Sequence, residues 1–320
     1  LLVGTNPRWE APIVNARLRK RYLAGGVRIA SLGPAVDLTY KVESLGNSPA
    51  ILSEIAAGAH SFAGVLREAK APMLILGMGA LARPDGAAVL AAAHAVAESC
   101  GLVKDGWNGF NVLHTAAARV GGLELGLMPG AGGRDVAGIL DGASKGEIDL
   151  VYLLGADEID MSRLGSAFVV YQGHHGDAGA HRADAILPGA AYTEKDATYV
   201  NTEGRAQRAE RATFPPGDAR EDWAILRALS GALGRPLPYD NLAAVDAALA
   251  KASPVFAQLD EVVPAAWGAF GKDGALGSAP FQSPIANYYM TDPISRASET
   301  MAKCSAEILG QGKGKTGTHG

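Results

Sequence analysis

Residues 183–208 read ADAILPGAAYTEKDATYVNTEGRAQR. The apolar run Ala185, Ile186, Leu187 has the length of a short buried strand, and Pro188-Gly189 stops it. Beyond the stop, polar residues alternate with the β-prone Thr193, Thr198, Tyr199 and Val200 and lead into Asn201-Thr202-Glu203-Gly204-Arg205. That pattern predicts a strand ending in a long polar loop. A loop dense in Glu, Lys, Asp, Asn and Arg, directly after a buried strand, is where an open α/β sheet places its ligand crevice. The same composition suits a polar crossover whose side chains satisfy one another and the backbone, and both readings stand at this point.

Working outward, the chain repeats strand and helix. Residues 1–3 read as a strand, residues 10–23 as a helix with Val14, Leu18 and Tyr22 on one face, and residues 27–32 as the next strand, which makes one βαβ unit. Residues 49–57 and 62–69 read as helices, 72–77 (PMLILG) as an apolar strand and 84–100 as a long helix. Residues 111–120 and 135–143 look helical, while 149–154 (DLVYLL) and 167–171 (AFVVY) read as strands, the former fully buried in the manner of a parallel sheet. Helices are expected over 220–233, with Trp223, Leu226 and Leu229 toward the core, and over 242–252. The expected fold class is a doubly wound, mostly parallel α/β sheet over residues 1–233, followed by a mainly helical extension over 234–310 and a disordered tail over 311–320.

Composition narrows the function classes. A formal net charge of −4 over 320 residues gives no reason to invoke nucleic acid. The two cysteines, Cys100 and Cys304, build neither a disulfide framework nor a four-thiolate cluster. The longest apolar runs are far too short to cross a bilayer. The chain opens directly on a strand, without an initiator Met, and is expected to be a fragment of something longer, with its chemistry possible upstream.

Several patterns could carry chemistry, each beside a plainer reading. In Gly4-Thr5-Asn6-Pro7, Gly admits a close backbone approach and Asn offers an amide, yet the turn is also an ordinary helix entry. Gly77-Met78-Gly79 lacks the third Gly and the acidic ribose ligand of a dinucleotide fingerprint, and the glycine-rich run 129–135 lacks the Lys-Ser or Lys-Thr of a P-loop. Arg17, Arg19, Lys20 and Arg21 suit the end of their helix. Asp157 and Glu158 form either an acid-base pair or a cap. His174, His175, Asp177 and His181 have metal-ligating side chains, but adjacent histidines in an extended segment point to opposite sides. Near the end, Asp292-Pro293 is a helix start, and Ile294, Ala297, Met301, Cys304 and Ile308 make a heptad-like stripe for a partner or for the chain's own domain.

The block from Ala183 to Arg208 resembles the molybdopterin oxidoreductase superfamily. With Tyr171-Gln172-Gly173-His174-His175-Gly176-Asp177 before it and YMTDPISRASETMAKC (residues 289–304) after it, it is similar to the iron-sulfur-subunit branch of respiratory complex I, the proton-pumping NADH:quinone oxidoreductase. The resemblance implies a scaffold that has lost its pterin cofactor. It implies no catalytic, cofactor-binding or metal residue here, 2Fe-2S and 4Fe-4S clusters in a preceding region, and other peripheral-arm subunits as partners. The implied place is the cytoplasmic face of a bacterial inner membrane, or the matrix side in a mitochondrion. Whether the chain is counted as an enzyme stays open. The alternative is an active pterin oxidoreductase such as a formate dehydrogenase, in which Gly4, Asn6 and Glu203-Gly204-Arg205 would bind cofactor.

Overall fold

Five short strands lie side by side, all parallel, in the order β3-β2-β1-β4-β7. These are β1 (Leu2–Val3), β2 (Ala30–Leu32), β3 (Glu43–Gly46), β4 (Leu74–Leu76) and β7 (Phe110–Val112), with β5 (Val103–Lys104) and β6 (Trp107–Asn108) forming a separate ribbon. They belong to a computed structural model that describes residues 1–310. The chain forms two compact units: residues 1–119 with 264–286, and residues 120–263 with 287–310. The linear cut expected at residue 233 is a different division, because each unit takes in a later stretch of chain.

In the first unit the sheet is wound on both sides. α1 (Pro7–Glu10) and α2 (Pro12–Leu23) follow β1, and Val14, Leu18 and Tyr22 of α2 pack with Leu2, Ile29 and Ile75 on one face. α3 (Ala50–Ala56), α4 (Phe62–Glu68), α5 (Met78–Leu81) and α6 (Gly86–Cys100) serve the other face, where Val3, Leu32, Leu74 and Leu76 meet Leu52, Phe62, Val89 and Val96. Helices on both faces of a parallel sheet make its inner strands β1, β2 and β4 buried and largely apolar, while the edge strand β3 is mostly exposed. The run 111–120, expected as helix, instead begins as β7: Phe110, Asn111 and Val112 pair with Leu74, Ile75 and Leu76. The helix starts only at Arg119, after a turn through the alanines 116–118.

The glycine-rich stretch 268–283 is a strap on this unit. Trp267 stacks on His94 at 5.1 Å, Phe270 meets the same ring edge-on at 4.6 Å, and Phe281 is fully buried in the core. Gly271 crosses α6 so closely, at φ +81°, that a Cβ there would lie 2.4 Å from the Ala91 nitrogen.

The second unit holds α7 (Arg119–Glu124), α8 (Val136–Ser144) and a three-stranded parallel sheet in the order β10-β9-β8. Its strands are β8 (Leu150–Leu154), β9 (Phe168–Gly173) and β10 (Ala185–Pro188), with α9 (Ala178–Arg182) before the last. β8 was expected to be fully buried, and β10 to be a buried strand. Both are half-exposed instead, because Val151, Leu153, Val169 and Tyr171 face a core while Leu150, Leu154, Phe168 and Ile186 are open to solvent. The polar loop after β10 contains a hairpin the sequence reading missed, β11 (Ala197–Val200) against β12 (Ala206–Ala209). Its signal was present: a β-prone run and a five-residue Asn-to-Arg turn with Gly204 at φ +83°.

α10 (Asp222–Ala232) and α11 (Leu242–Ala252) come next, and then α12 (Pro293–Arg296) and α13 (Glu299–Ile308). The regular elements after residue 233 are thus helical. The continuous terminal helix and its heptad stripe are corrected, since Ser298 turns its hydroxyl to the Met301 N–H and starts a new helix. The buried side of α13 is Ala302 and Ser305, with Asn287 donating to the Ser305 hydroxyl at 3.0 Å, while Ile308 is exposed. The tail expected over 311–320 lies outside the described residues.

Candidate functional site

The strand order of the first unit reverses at β1, with β2 on one side and β4 on the other, so the crevice beyond their carboxyl ends is where a ligand of an open α/β sheet would sit. Here Gly4-Thr5-Asn6-Pro7 meets Gly77-Met78-Gly79. A Cβ on Gly4, which has φ +54°, would lie 2.6 Å from the Ala80 nitrogen, and one on Gly77 would lie 2.6 Å from the Gly4 oxygen. On Gly79 it would lie 2.7 Å from the Gly4 oxygen and 2.2 Å from that of Gln282. These glycines allow the chain to pack against itself, strap included.

Glu10 holds the donors at this turn. Its carboxylate accepts the Asn6 N–H through Oε1 and the Thr5 hydroxyl through Oε2, the latter at 3.0 Å. Burial pushes the Glu10 pKa above the ordinary carboxylate range, against the pull of those two bonds. Around the same strand ends Asn6 Oδ1, Asn47 Oδ1, Asn111 Nδ2 and His114 Nδ1 are buried without a protein partner. Burial, helped by Arg119, pushes the His114 pKa down and so favours its neutral form. Two amide oxygens, one amide nitrogen, a half-buried carboxylate and a neutral imidazole suit ordered water better than phosphate.

In the second unit, the residues singled out by sequence are spoken for. Asp157 accepts the Tyr171 hydroxyl and the Gly179 N–H in the first turn of α9, each at 2.9 Å, while its neighbour Glu158 is exposed. Those same contacts, with desolvation foremost, push the Tyr171 pKa far up. His174 and His175 lie beyond the end of β9 and do not diverge: their rings meet edge-on and their Nδ1 atoms are 2.7 Å apart, one donating to the other. Burial, then His175 and Lys195, lowers the His174 pKa. Asp177 caps α9 and pairs with Arg296 Nε at 2.5 Å. Among the described residues, no group of three or more His, Cys, Asp or Glu is placed to hold a metal.

The organising block resolves the same way. Lys195 pairs with Asp222, whose other oxygen accepts from Gln172 Nε2 at 2.8 Å, and Gln172 in turn accepts the Tyr152 hydroxyl. Glu194 accepts the Ala191 N–H at 2.9 Å and Asp196 that of Arg211 at 3.0 Å. Asn201 closes the hairpin turn on the N–H groups of Glu203 and Arg205, at 2.9 and 3.1 Å. Arg205 donates to the Asp260 carbonyl, and Arg208 to Asp246 at 2.6 Å. These bonds are those of a polar crossover whose side chains satisfy one another and the backbone. The sequence reading missed Glu10, Asp222 and Arg296. Glu10 was visible as an acid one helical turn after Asn6, but nothing local marked the other two.

Two family models match the chain: molybdopterin oxidoreductase over residues 1–232, and the C-terminal model of the NADH-ubiquinone oxidoreductase G subunit over residues 261–304. The NADH-quinone oxidoreductase G subunit of Rickettsia bellii (strain RML369-C) is 42% identical over 304 residues, covering 95% of this chain and 43% of that protein. The NADH-ubiquinone oxidoreductase 75 kDa subunit of Reclinomonas americana is 43% identical over 309 residues, covering 96% and 44%. The NADH-quinone oxidoreductase G subunit of Rickettsia felis (strain ATCC VR-1525 / URRWXCal2) is 43% identical, covering 95% and 44%. The chain therefore spans less than half the length of these curated relatives.

Proposed function

The chain belongs to the molybdopterin oxidoreductase family, and from that premise we propose that it is a cofactor-free supporting part of the peripheral-arm iron-sulfur subunit of the proton-pumping NADH:quinone oxidoreductase. The names of its relatives and the second family match support the complex over the alternative of an active pterin enzyme such as a formate dehydrogenase. On this reading the 2Fe-2S and 4Fe-4S clusters lie in the remainder of the longer protein. This chain holds neighbouring peripheral-arm subunits in place and transfers no electron itself.

The observation that carries the cofactor-free reading is the Glu10 carboxylate on the Asn6 and Thr5 donors. A phosphate entering there has to displace an anion, and the Gln282 carbonyl already lies against Gly79. The residues present do not fit a phosphate-bearing cofactor at that turn. No helix among the described residues is long and apolar enough to cross a membrane. The place proposed for the chain, from the names of its relatives, is an arm beside the membrane, on the cytoplasmic face in a bacterium.

The test is elemental analysis of the full-length polypeptide purified in its native complex. No stoichiometric molybdenum or tungsten is expected, and one such atom per polypeptide overturns the cofactor-free reading. An assembled, active complex without this polypeptide overturns the supporting role.

A further inference from the structure

The outer side of α2, in the first unit, has a pattern of its own. Val14, Leu18 and Tyr22 pack on the sheet, and Asn15 is buried against the Leu38 carbonyl. Facing away from them, Ile13, Ala16, Lys20 and Leu23 follow one another at spacings of 3, 4 and 3, the row that one helix presents to another. All four are exposed, Ile13 at 77% and Leu23 at 64%. Arg17 borders this row on one side and Arg19 on the other, the flanking positions that select a partner helix by charge.

The charge on this face is one-sided. Residues 11–36 hold Arg17, Arg19, Lys20, Arg21 and Arg28 and no Asp or Glu, in a chain whose net charge is −4. Arg28 pairs with Glu43 at 2.8 Å and Arg21 donates to the Gly25 carbonyl, but Arg17, Arg19 and Lys20 make no ion pair among the described residues. The negative end of the helix accounts for Lys20 and Arg21, which stand in its last turn, and its pull fades before Arg17 and Arg19.

We infer that this face seats an acidic helix of another subunit of the complex, with apolar side chains against Ile13, Ala16 and Leu23 and carboxylates on Arg17 and Arg19. The planar fork of arginine binds a carboxylate through two parallel N–H bonds. Lys20, inside the otherwise apolar row, sets the register by calling for one carboxylate opposite it. A second copy of the chain does not fit, because pairing through this face sets Lys20 against Lys20 when parallel and flanking arginine against flanking arginine when antiparallel. A lipid surface is disfavoured too: Val14, Leu18 and Tyr22, the apolar side that such a helix would sink into a bilayer, are taken by the sheet. The inference rests on the proposed membership of the complex.

Photo-cross-linking in the native complex tests it, with p-benzoylphenylalanine in place of Ile13 and, separately, of Leu23, both outside the core. The expected result is a cross-link to an acidic helical segment of a different subunit. Its yield should fall at least about tenfold when Arg17→Glu and Arg19→Glu are added, since like charges across an interface repel, and far less with Arg17→Lys and Arg19→Lys. A cross-link to the same polypeptide, to a second copy, to lipid or to solvent alone overturns the inference, as does a yield indifferent to the charge reversal. Those results leave the polypeptide in its complex. Recovery of the polypeptide apart from any such complex overturns the assembly itself, and the inference with it, so the two failures are told apart.

Discussion

Replacing Arg296 with Met removes the guanidinium that fastens the terminal helices to the loop after β9. Its Nε donates to Asp177 Oδ2 at 2.5 Å and its Nη1 lies 3.7 Å from Glu158, with the Arg296 and Asp177 side chains 20% and 9% exposed. Asp177 spends its other oxygen on the Ala178 N–H at 2.9 Å, so Arg296→Met leaves half a sheltered carboxylate without a donor. Exposed pairs contribute about 0.2–1 kcal/mol, and losing one partner of a fully buried pair costs about 3–5 kcal/mol. The shelter here is most of the way to burial, which places the expected loss at about 2–3 kcal/mol. Asp177→Asn keeps an acceptor for Arg296 and should cost less. The double variant should fall short of the sum of the singles by about 1–2 kcal/mol. Urea unfolding of the full-length polypeptide, with native-state hydrogen exchange read at the α13 amides, measures both numbers. A loss for Arg296→Met below about 0.5 kcal/mol, or strict additivity of the pair, refutes the claim that this contact secures α12 and α13.

Glu10→Gln tests the carboxylate at the turn through pH. Because the folded pKa of Glu10 is raised above its unfolded value, its contribution to stability is whole below the unfolded value and is lost as pH rises through the folded one. Gln can keep both bonds, accepting from the Asn6 N–H and donating to the Thr5 hydroxyl, without ionising. The variant should therefore gain on the wild type at neutral pH and lose that advantage near about pH 4. Parallel pH profiles of the urea midpoint contradict a half-buried, destabilised carboxylate. Phe281→Ala, in the strap and fully buried, should cost about 3–5 kcal/mol by the same assay. A cost below about 1 kcal/mol shows that the strap is dispensable to the core of the first unit.

Much of the fold was legible because its signals are local. The βαβ opening, α6, α10, the Asp292-Pro293 start and α11, whose bounds match the reading at 242–252, follow from period, caps and breakers within a few residues. Errors fell where a distant partner decided the matter. Phe110 to Val112 is a strand because β4 lies beside it; the break between α12 and α13 is the exception, a local N-cap in which Ser298 accepts the Met301 N–H. The half-exposure of β8 and β10 could not be read from apolar runs that look the same whether one face or both are covered.

The candidate site divides in the same manner. Its raw material stood in the sequence: the Gly-Thr-Asn-Pro turn, the Glu-Lys-Asp loop, the histidine pair and the two blocks that resemble the family. What those residues do was decided by tertiary structure. Lys195 meets Asp222 across 27 residues, Asp177 meets Arg296 across 119, and Asn47 meets the Phe281 carbonyl across 234. By itself the sequence determined the class of fold and the family, because backbone propensity, apolar period and motif wording are properties of neighbours along the chain. Only the folded chain decided that the donors at the first turn answer to Glu10 and that the polar loop satisfies itself. Hydrogen bonding and burial depend on which residues become neighbours in space.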